Sequence, residues 1–314
     1  MSEKNETQVQ QSVQGKVPEI KDGAVIVETP STWRTIKREF LKDKVALVSA
    51  IILAVVFVTV IIWAFFIPRS AVTNVNIIDQ YLTPGTQGHL LGTDEQGRDQ
   101  VKMLIASARN SLMIAFMISI IGQFFGVIVG LITGYFRGIV DTIIMRVIDF
   151  WIVLPFLMII IVLVSIVPKY NEWTLIWIIG LFAWQGTTRL IRSKVLSEAD
   201  RDYVRASKTS GSSNFMIMFR EILPNLASLI IVDTTLNFAG NIGIETTLSF
   251  LGFGLPNGTP SLGTMVSAAT DPTVLATKPY VWVPPVIFII VICVGISFVG
   301  QVFRRAADAR QRLG

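Results

Sequence analysis

Six stretches of this sequence are apolar over the length of a membrane crossing, and short polar, often basic segments separate them. The first covers residues 45–67. As a helix rising 1.5 Å per residue it spans roughly 34 Å, enough for a hydrocarbon core of about 30 Å. The others are expected over 111–134, 142–167, 173–191, 224–248 and 281–302. The fourth ends in a polar run, 185–189. Without it the block at 197–225, which carries Arg201, Arg205, Lys208 and Arg220, would fall outside the cell. Basic loops stay on the cytoplasmic side, so six spans are expected, with both termini inside.

The first thirty residues are polar, without a sustained apolar period, and read as a disordered tail. They hold no apolar core with a small-residue cleavage site, so they do not read as a signal peptide. Residues 31–44 carry Trp33, Ile36 and Phe40 at helical spacing among Arg34, Lys37, Arg38 and Lys42. That pattern predicts an amphipathic lead-in helix at a membrane surface, or the extended start of the first span. The transmembrane domain follows over 45–314.

Three spans carry patterns of their own. Gly122, Gly126, Gly130 and Gly134 fall four apart in the second, on one helix face, and predict close approach of another helix. Pro155 predicts a kink in the third, where Arg146 and Asp149 are spaced to pair. In the fifth, Asp233, Asn237, Asn241 and Glu245 recur every four residues as one polar stripe. A carboxylate at mid-membrane costs about 2.5–3.5 kcal/mol on insertion scales, so such groups face a partner or a watered cavity. The stripe either lines a translocation path or fastens the bundle by hydrogen bonds. Glu245, nearer the outer end, points more to the path.

The polar block at 197–225 reads as a helix around 203–207, a turn over 210–214 with Gly211 free for positive φ, and a second short helix over 215–221. Pro224 suits a first helical position of the next span. On the residues alone the block is either a solvated loop or a docking knob.

Composition agrees with the membrane reading. The 314 residues are 52% hydrophobic and only 16% charged, against about 25% charged in soluble domains. The net charge of +5 sits between the apolar runs, which fits membrane topology and not nucleic-acid binding. Cys293 is the single cysteine, so no disulfide forms within the chain and no multi-cysteine metal site exists. His89 is the single histidine and reads as structural. Asp94, Glu95 and Asp99 in the outer loop 68–105 lack the alternation and glycine of a calcium loop. They are expected to brace a turn before the second span, with no metal. No phosphate-binding G-x-x-x-x-G-K-[ST] run occurs, and no nucleophile–base set is plausible. The chain therefore reads as a non-enzyme without cofactors.

The block at 197–225 resembles the EAA loop of permease subunits of ATP-binding-cassette importers. The matching positions are Arg205-Ala206-Ser207, Gly211 and the closing Ile222-Leu223-Pro224. Arg205 stands where the family has an acidic residue and Ser207 where it has a second alanine. Residues 91–99 (LGTDEQGRD), 134–138 (GYFRG), 248–254 (LSFLGFG) and 260–263 (PSLG) extend the likeness over almost the whole chain after residue 30, to the C-type permease subunit of oligopeptide and dipeptide importers. The resemblance implies the type I importer permease fold, a second permease, two ATPase subunits and an external peptide-binding protein. It also implies that the EAA loop sits in a cleft of an ATPase and transmits its closure. Related permeases carry nickel and other small solutes as well. Two rival classes stand beside this one. An ion-coupled secondary transporter would use Asp233 and Glu245 as relays, and a scaffold would have no path at all.

Overall fold

In the computed structural model, residues 20–21, 24–25, 32–68, 70–168, 170–256 and 258–311 are described. Most of the expected tail lies outside them. Its described part is a two-residue antiparallel ladder, β1 (Ile20–Lys21) with β2 (Ala24–Val25).

The rest is helical. The lead-in helix α1 (Thr32–Lys42) ends at Asp43, whose carboxylate caps α2 (Lys44–Phe66) by accepting from Ala46 N at 3.1 Å. Asp43 also pairs with Arg305 of the last helix, and Phe40 meets Phe303 edge-on with centroids 5.7 Å apart. The lead-in helix is thus tied to the C-terminal part of the last helix.

The long helix α3 (Gln100–Phe136) begins eleven positions before the apolar stretch that announces it, because Asp99 caps it from the outer loop. At 1.5 Å per residue its length is about 55 Å, longer than a hydrocarbon core of about 30 Å. Next comes α4 (Gly138–Val153), then a break at Leu154–Pro155, then α5 (Phe156–Ile166), with an 84° bend between them. Proline removes a backbone donor and crowds the preceding turn, so the bend sits where Pro155 predicts it. Asp149 does not pair with Arg146 as its spacing suggested. Its carboxylate takes Arg189 of a later helix instead.

The fourth apolar stretch is two helices, α6 (Glu172–Ala183) and α7 (Gln185–Glu198), meeting at Trp184. The block at 197–225 contains α8 (Asp202–Thr209), and beyond it run α9 (Ala227–Phe250) and the final α10 (Pro279–Gln311). Pro284 and Pro285 lie inside α10, five and six positions past its start. Among the described residues four helices (α2, α3, α9 and α10) are long and apolar enough to cross a membrane, or five with the bent pair α4–α5 counted as one.

The glycine stripe does what its spacing predicts. Its partner is the α6–α7 pair, in the same four-residue rhythm. A β-carbon on Gly122, Gly126, Gly130 or Gly134 would fall 2.9, 2.6, 2.7 or 2.7 Å from the β-carbon of Ala183, Thr187, Ile191 or Val195. These are distances no real β-carbons keep, so the helix backbones touch only because the side chains are missing. The contact buries Thr187 and Thr188, which is how a polar stretch is held in the middle of the bundle.

Candidate functional site

The C-terminal ends of α3 and α7 carry the block at 197–225 as a compact foot. Leu131 and Tyr135 of α3, Ile191 and Val195 of α7, and Val204, Ile217, Met218 and Ile222 of the block form one buried cluster. The first limb is α8. Ser210 ends it, and Gly211 turns the chain at φ +82°, a conformation that a side chain disfavours. Ser213 caps the second limb, its hydroxyl accepting from Met216 N at 3.3 Å.

That limb starts as Asn214–Met216 and widens into a π-helical segment, Ile217–Ile222. Leu223 N–H bonds to Met218 O, five residues back. Pro224 has no N–H to offer Arg220 O, so the regular α ladder stops there and the wider turn costs one bond fewer.

Arg205, Ala206 and Gly211 are exposed on the outer side of the foot. Ser207 turns inward and donates its hydroxyl to Glu221 of the second limb. Ile222 is buried, Leu223 is half-buried and Pro224 is exposed. The sequence-matched positions therefore separate into an outer set and an anchoring set. Three further contacts hold the foot in place. Tyr135 OH donates to Asn214 Oδ1 at 2.9 Å, the Lys208 ammonium stands 4.8 Å from the Tyr135 ring centroid, and Arg137 pairs with Asp200 at 2.8 Å. The Arg137 guanidinium holds the Asp200 carboxyl below the usual carboxylate range.

The polar stripe of α9 is folded against α7 and α3. Thr187 Oγ1 donates to Asp233 Oδ2 at 2.7 Å, and Asn237 Nδ2 donates to both groups at 3.1 Å. One turn further out, Asn241 Nδ2 donates to Ser119 Oγ at 2.8 Å, and that hydroxyl in turn donates to Ala115 O. Glu245 is fully buried. Ser249 Oγ donates to its Oε1 at 2.7 Å, Ser111 and Ser261 lie beside it, and its Oε2 has no hydrogen bond. The four residues thus meet polar partners in three separate groups, Thr187 with Asp233 and Asn237, Ser119 with Asn241, and Ser249 with Glu245.

In the loop before α3, Asp94 accepts from the backbone of Gln96 and Arg98 at 2.9 Å and pairs with the Arg98 side chain at 2.6 Å. His89 Nδ1 donates to Asp99 at 2.7 Å. These acidic groups brace the turn and cap α3, and no metal-sized cluster of three His, Cys, Asp or Glu occurs among the described residues. Tyr170 OH donates to Gly254 O, which ties the start of α6 to the segment between α9 and α10.

Sequence reasoning did not find the Ser207–Glu221 contact, nor Thr187 as the partner of the stripe. The four-residue rhythm of Ala183, Thr187, Ile191 and Val195, matching that of the glycines, is the signal that would have found the second.

Comparison with known proteins agrees with this architecture. Residues 126–313 match the binding-protein-dependent transport system inner membrane component, and residues 31–84 match the N-terminal TM domain of oligopeptide transport permease C. The chain is 56% identical over 281 residues to the oligopeptide transport system permease protein OppC of Lactococcus lactis subsp. lactis, covering 90% of this chain and 96% of the relative. It is 34% identical over 284 residues to the dipeptide transport system permease protein DppC of Bacillus subtilis, with 90% and 86% covered. The OppC of Mycobacterium tuberculosis is 32% identical over 289 residues, with 91% and 98% covered. With its apolar helices and its glycine-sealed bundle, this multi-pass membrane chain belongs to the family of binding-protein-dependent transport system inner membrane components.

Proposed function

We propose that this chain is a membrane subunit of an ATP-driven importer of oligopeptides, forming half of the translocation path together with a second permease. Two ATPase subunits supply the energy and an external protein delivers the peptide. The observation that carries this reading is the foot. Its outer side, with Arg205, Ala206 and Gly211, is free among the described residues, while Ile222 and its neighbours anchor it to α3 and α7. A body built in this way moves as one piece, so a push on Arg205 or Gly211 is delivered to the spans.

The path belongs to α9. In this reading Asp233, Asn237, Asn241 and Glu245 are the seam along which α9 parts from α3 and α7 when access alternates. A seam of hydrogen bonds exchanges its partners for water at modest net cost, whereas a fully apolar contact does not. The sixth crossing is α6 with the first turns of α7, buried against the glycine stripe, and both termini are cytoplasmic. ATP hydrolysis belongs to the partners and not to this chain.

Affinity purification of the full chain from its native membrane tests the assembly. A second permease and two ATPases should co-purify, and the purified complex in proteoliposomes should take up peptide only with ATP. A chain that purifies alone, or that drives uptake on an ion gradient without an ATPase, would overturn the reading.

A further inference from the structure

A long groove opens between α2, α3, α9 and α10, with a volume of about 990 Å³. That is within the range of roughly 300–1,000 Å³ typical of ligand sites. Its walls are mostly apolar and its centre is aromatic. Phe238 of α9 stacks on Phe57 of α2 with centroids 6.3 Å apart and meets Phe116 of α3 edge-on at 6.2 Å. Thr234 and Thr235, further in, spend their hydroxyl hydrogens on Ile230 O and Ile231 O of their own helix. These hydroxyls therefore present acceptors to the groove.

One charged residue lines the groove among the described residues, and it is Arg109. It stands at the outer mouth. Its neighbour Asn110 bonds Pro260 O of the outer loop at 2.8 Å, and Ile67, just past the outer end of α2, lines the same space. Arg109 is exposed and has no hydrogen bond or ion pair with any described residue. Elsewhere Arg137, Arg189, Arg192 and Arg201 each hold a carboxylate, whereas Arg205 of the foot, like Arg109, holds none among the described residues. A planar guanidinium over an apolar groove is suited to a carboxylate held by two parallel hydrogen bonds, with apolar groups attached to it.

We propose that this groove is a subsite for the C-terminal end of a peptide in transit, with its carboxylate on Arg109 and its last side chain against Phe57, Phe116 and Phe238. The inference rests on the importer reading and deepens it. A terminal carboxylate is the one anion common to unmodified peptides, and the mouth where Arg109 stands is the one that faces the outside in the six-span arrangement.

The test uses the full complex purified through this chain, in proteoliposomes without the binding protein. The probe is a tetrapeptide carrying a photoreactive phenylalanine, prepared as the free acid and as the C-terminal amide. Labelling of the groove helices should be on the order of tenfold stronger with the free acid, the scale of a lost charge-assisted pair. Arg109→Gln should reduce the acid to the level of the amide, and Arg109→Lys should retain part of the difference. Equal labelling by acid and amide in the unmodified complex would overturn the proposal, and that comparison needs no variant to fold. An acid-to-amide ratio untouched by Arg109→Gln would overturn it too. So would a groove filled by a second permease helix, or labelled by photoreactive lipid and not by peptide. If the complex with its binding protein imports peptide while the ratio is flat, this subsite fails and the importer reading stands. If no peptide is imported at all, both fail.

Discussion

Thr187 Oγ1 lies 2.7 Å from Asp233 Oδ2, and the same threonine fills the space left by the missing side chain of Gly126. One residue on α7 therefore joins the glycine face of α3 to the polar face of α9. Two patterns that look independent in the sequence, one of small residues and one of polar residues, meet on it.

The steric half of that joint is testable. Gly126→Ala puts a β-carbon 2.6 Å from Thr187 Cβ, and the backbone beyond, at Trp184 O, is 3.0 Å away. Overpacking of this kind typically costs 1–3 kcal/mol. Gly126→Ala should lower the midpoint of thermal unfolding in detergent, and Gly126→Leu should abolish the folded protein. Gly186→Ala is the control on α7. Its added β-carbon meets nothing within 4 Å, and alanine is the better helix former by about 1 kcal/mol. A midpoint for Gly126→Ala equal to that of Gly186→Ala would remove the glycine seal.

The polar half calls for a different substitution. Thr187→Val keeps the shape and removes the hydroxyl that Asp233 and Asn237 share. Asp233 keeps its Asn237 donor, so the cost is that of one lost hydrogen bond, about 0.5–1.5 kcal/mol. Adding Asn237→Leu to Thr187→Val should not cost the plain sum of the two, because the Asn237–Thr187 bond is lost in both and Asp233 loses both of these donors only in the double variant. Strict additivity in unfolding measurements would mean that the three groups do not act as one network.

Much of this was legible before any coordinates. Pro155 marked the bend, the glycines marked a close helix pair, and Gly211 marked the turn. The reasons for the shortfalls are physical. Hydropathy ranks 185–189 as polar because it scores each side chain as if it were alone, while the burial of Thr187 and Thr188 is created by glycines sixty residues away. The stripe on α9 showed its period but not its neighbour, since a period fixes a helix face and leaves open what packs on it. Arg146 and Asp149 had the spacing for a pair, yet Arg189 reaches Asp149 from another helix. Ser207 and Glu221 are fourteen residues apart across a turn, and only the closed foot brings them together.

At the foot, Ser207→Ala and Glu221→Gln should each loosen the two limbs by about 1 kcal/mol, the net worth of a typical hydrogen bond, and somewhat more for a charged acceptor. Both sit away from the outer face. They should leave assembly with the ATPases intact while lowering the peptide imported per ATP hydrolysed. Each alone should have nearly the effect of both. A double variant twice as impaired as either single one would show that Ser207 and Glu221 act separately.

The segment between α9 and α10 carries a pH dependence with a defined sign. Asp271 caps the short helix Pro272–Thr277, and the amides of Thr273 and Val274 hold its carboxyl below the ordinary range. A depressed folded value means that the stabilisation is complete above the unfolded value of about 3.9 and is lost as the pH falls through the lower folded one. Hydrogen exchange of residues 273–277 should therefore quicken, beyond its intrinsic pH trend, as the medium is taken from pH 5 to pH 2. Asp271→Asn, which stays neutral, should remove that excess. An excess unchanged in Asp271→Asn would assign it to another group.

The sharpest test of the foot is Gly211→Pro. Nothing lies within 4 Å of where a β-carbon would stand, so bulk alone does no harm there. Proline acts on the backbone. It fixes φ near −65°, while the turn needs +82°. It also removes the N–H that bonds Lys208 O at 3.1 Å. The exposed turn must rebuild, yet the cluster of Val204, Ile217 and Ile222 beneath it has no reason to dissolve. The variant should fold, insert and co-purify with its partners. ATP hydrolysis should continue while peptide uptake falls at least about tenfold, because the two limbs no longer present one surface to whatever pushes them. Gly211→Ala needs only a left-handed alanine, at about 1–2 kcal/mol, and should fall between the two. Fully coupled uptake by Gly211→Pro would show that force does not pass through this turn, and the role of Arg205 and Ala206 beside it would then have to be sought elsewhere.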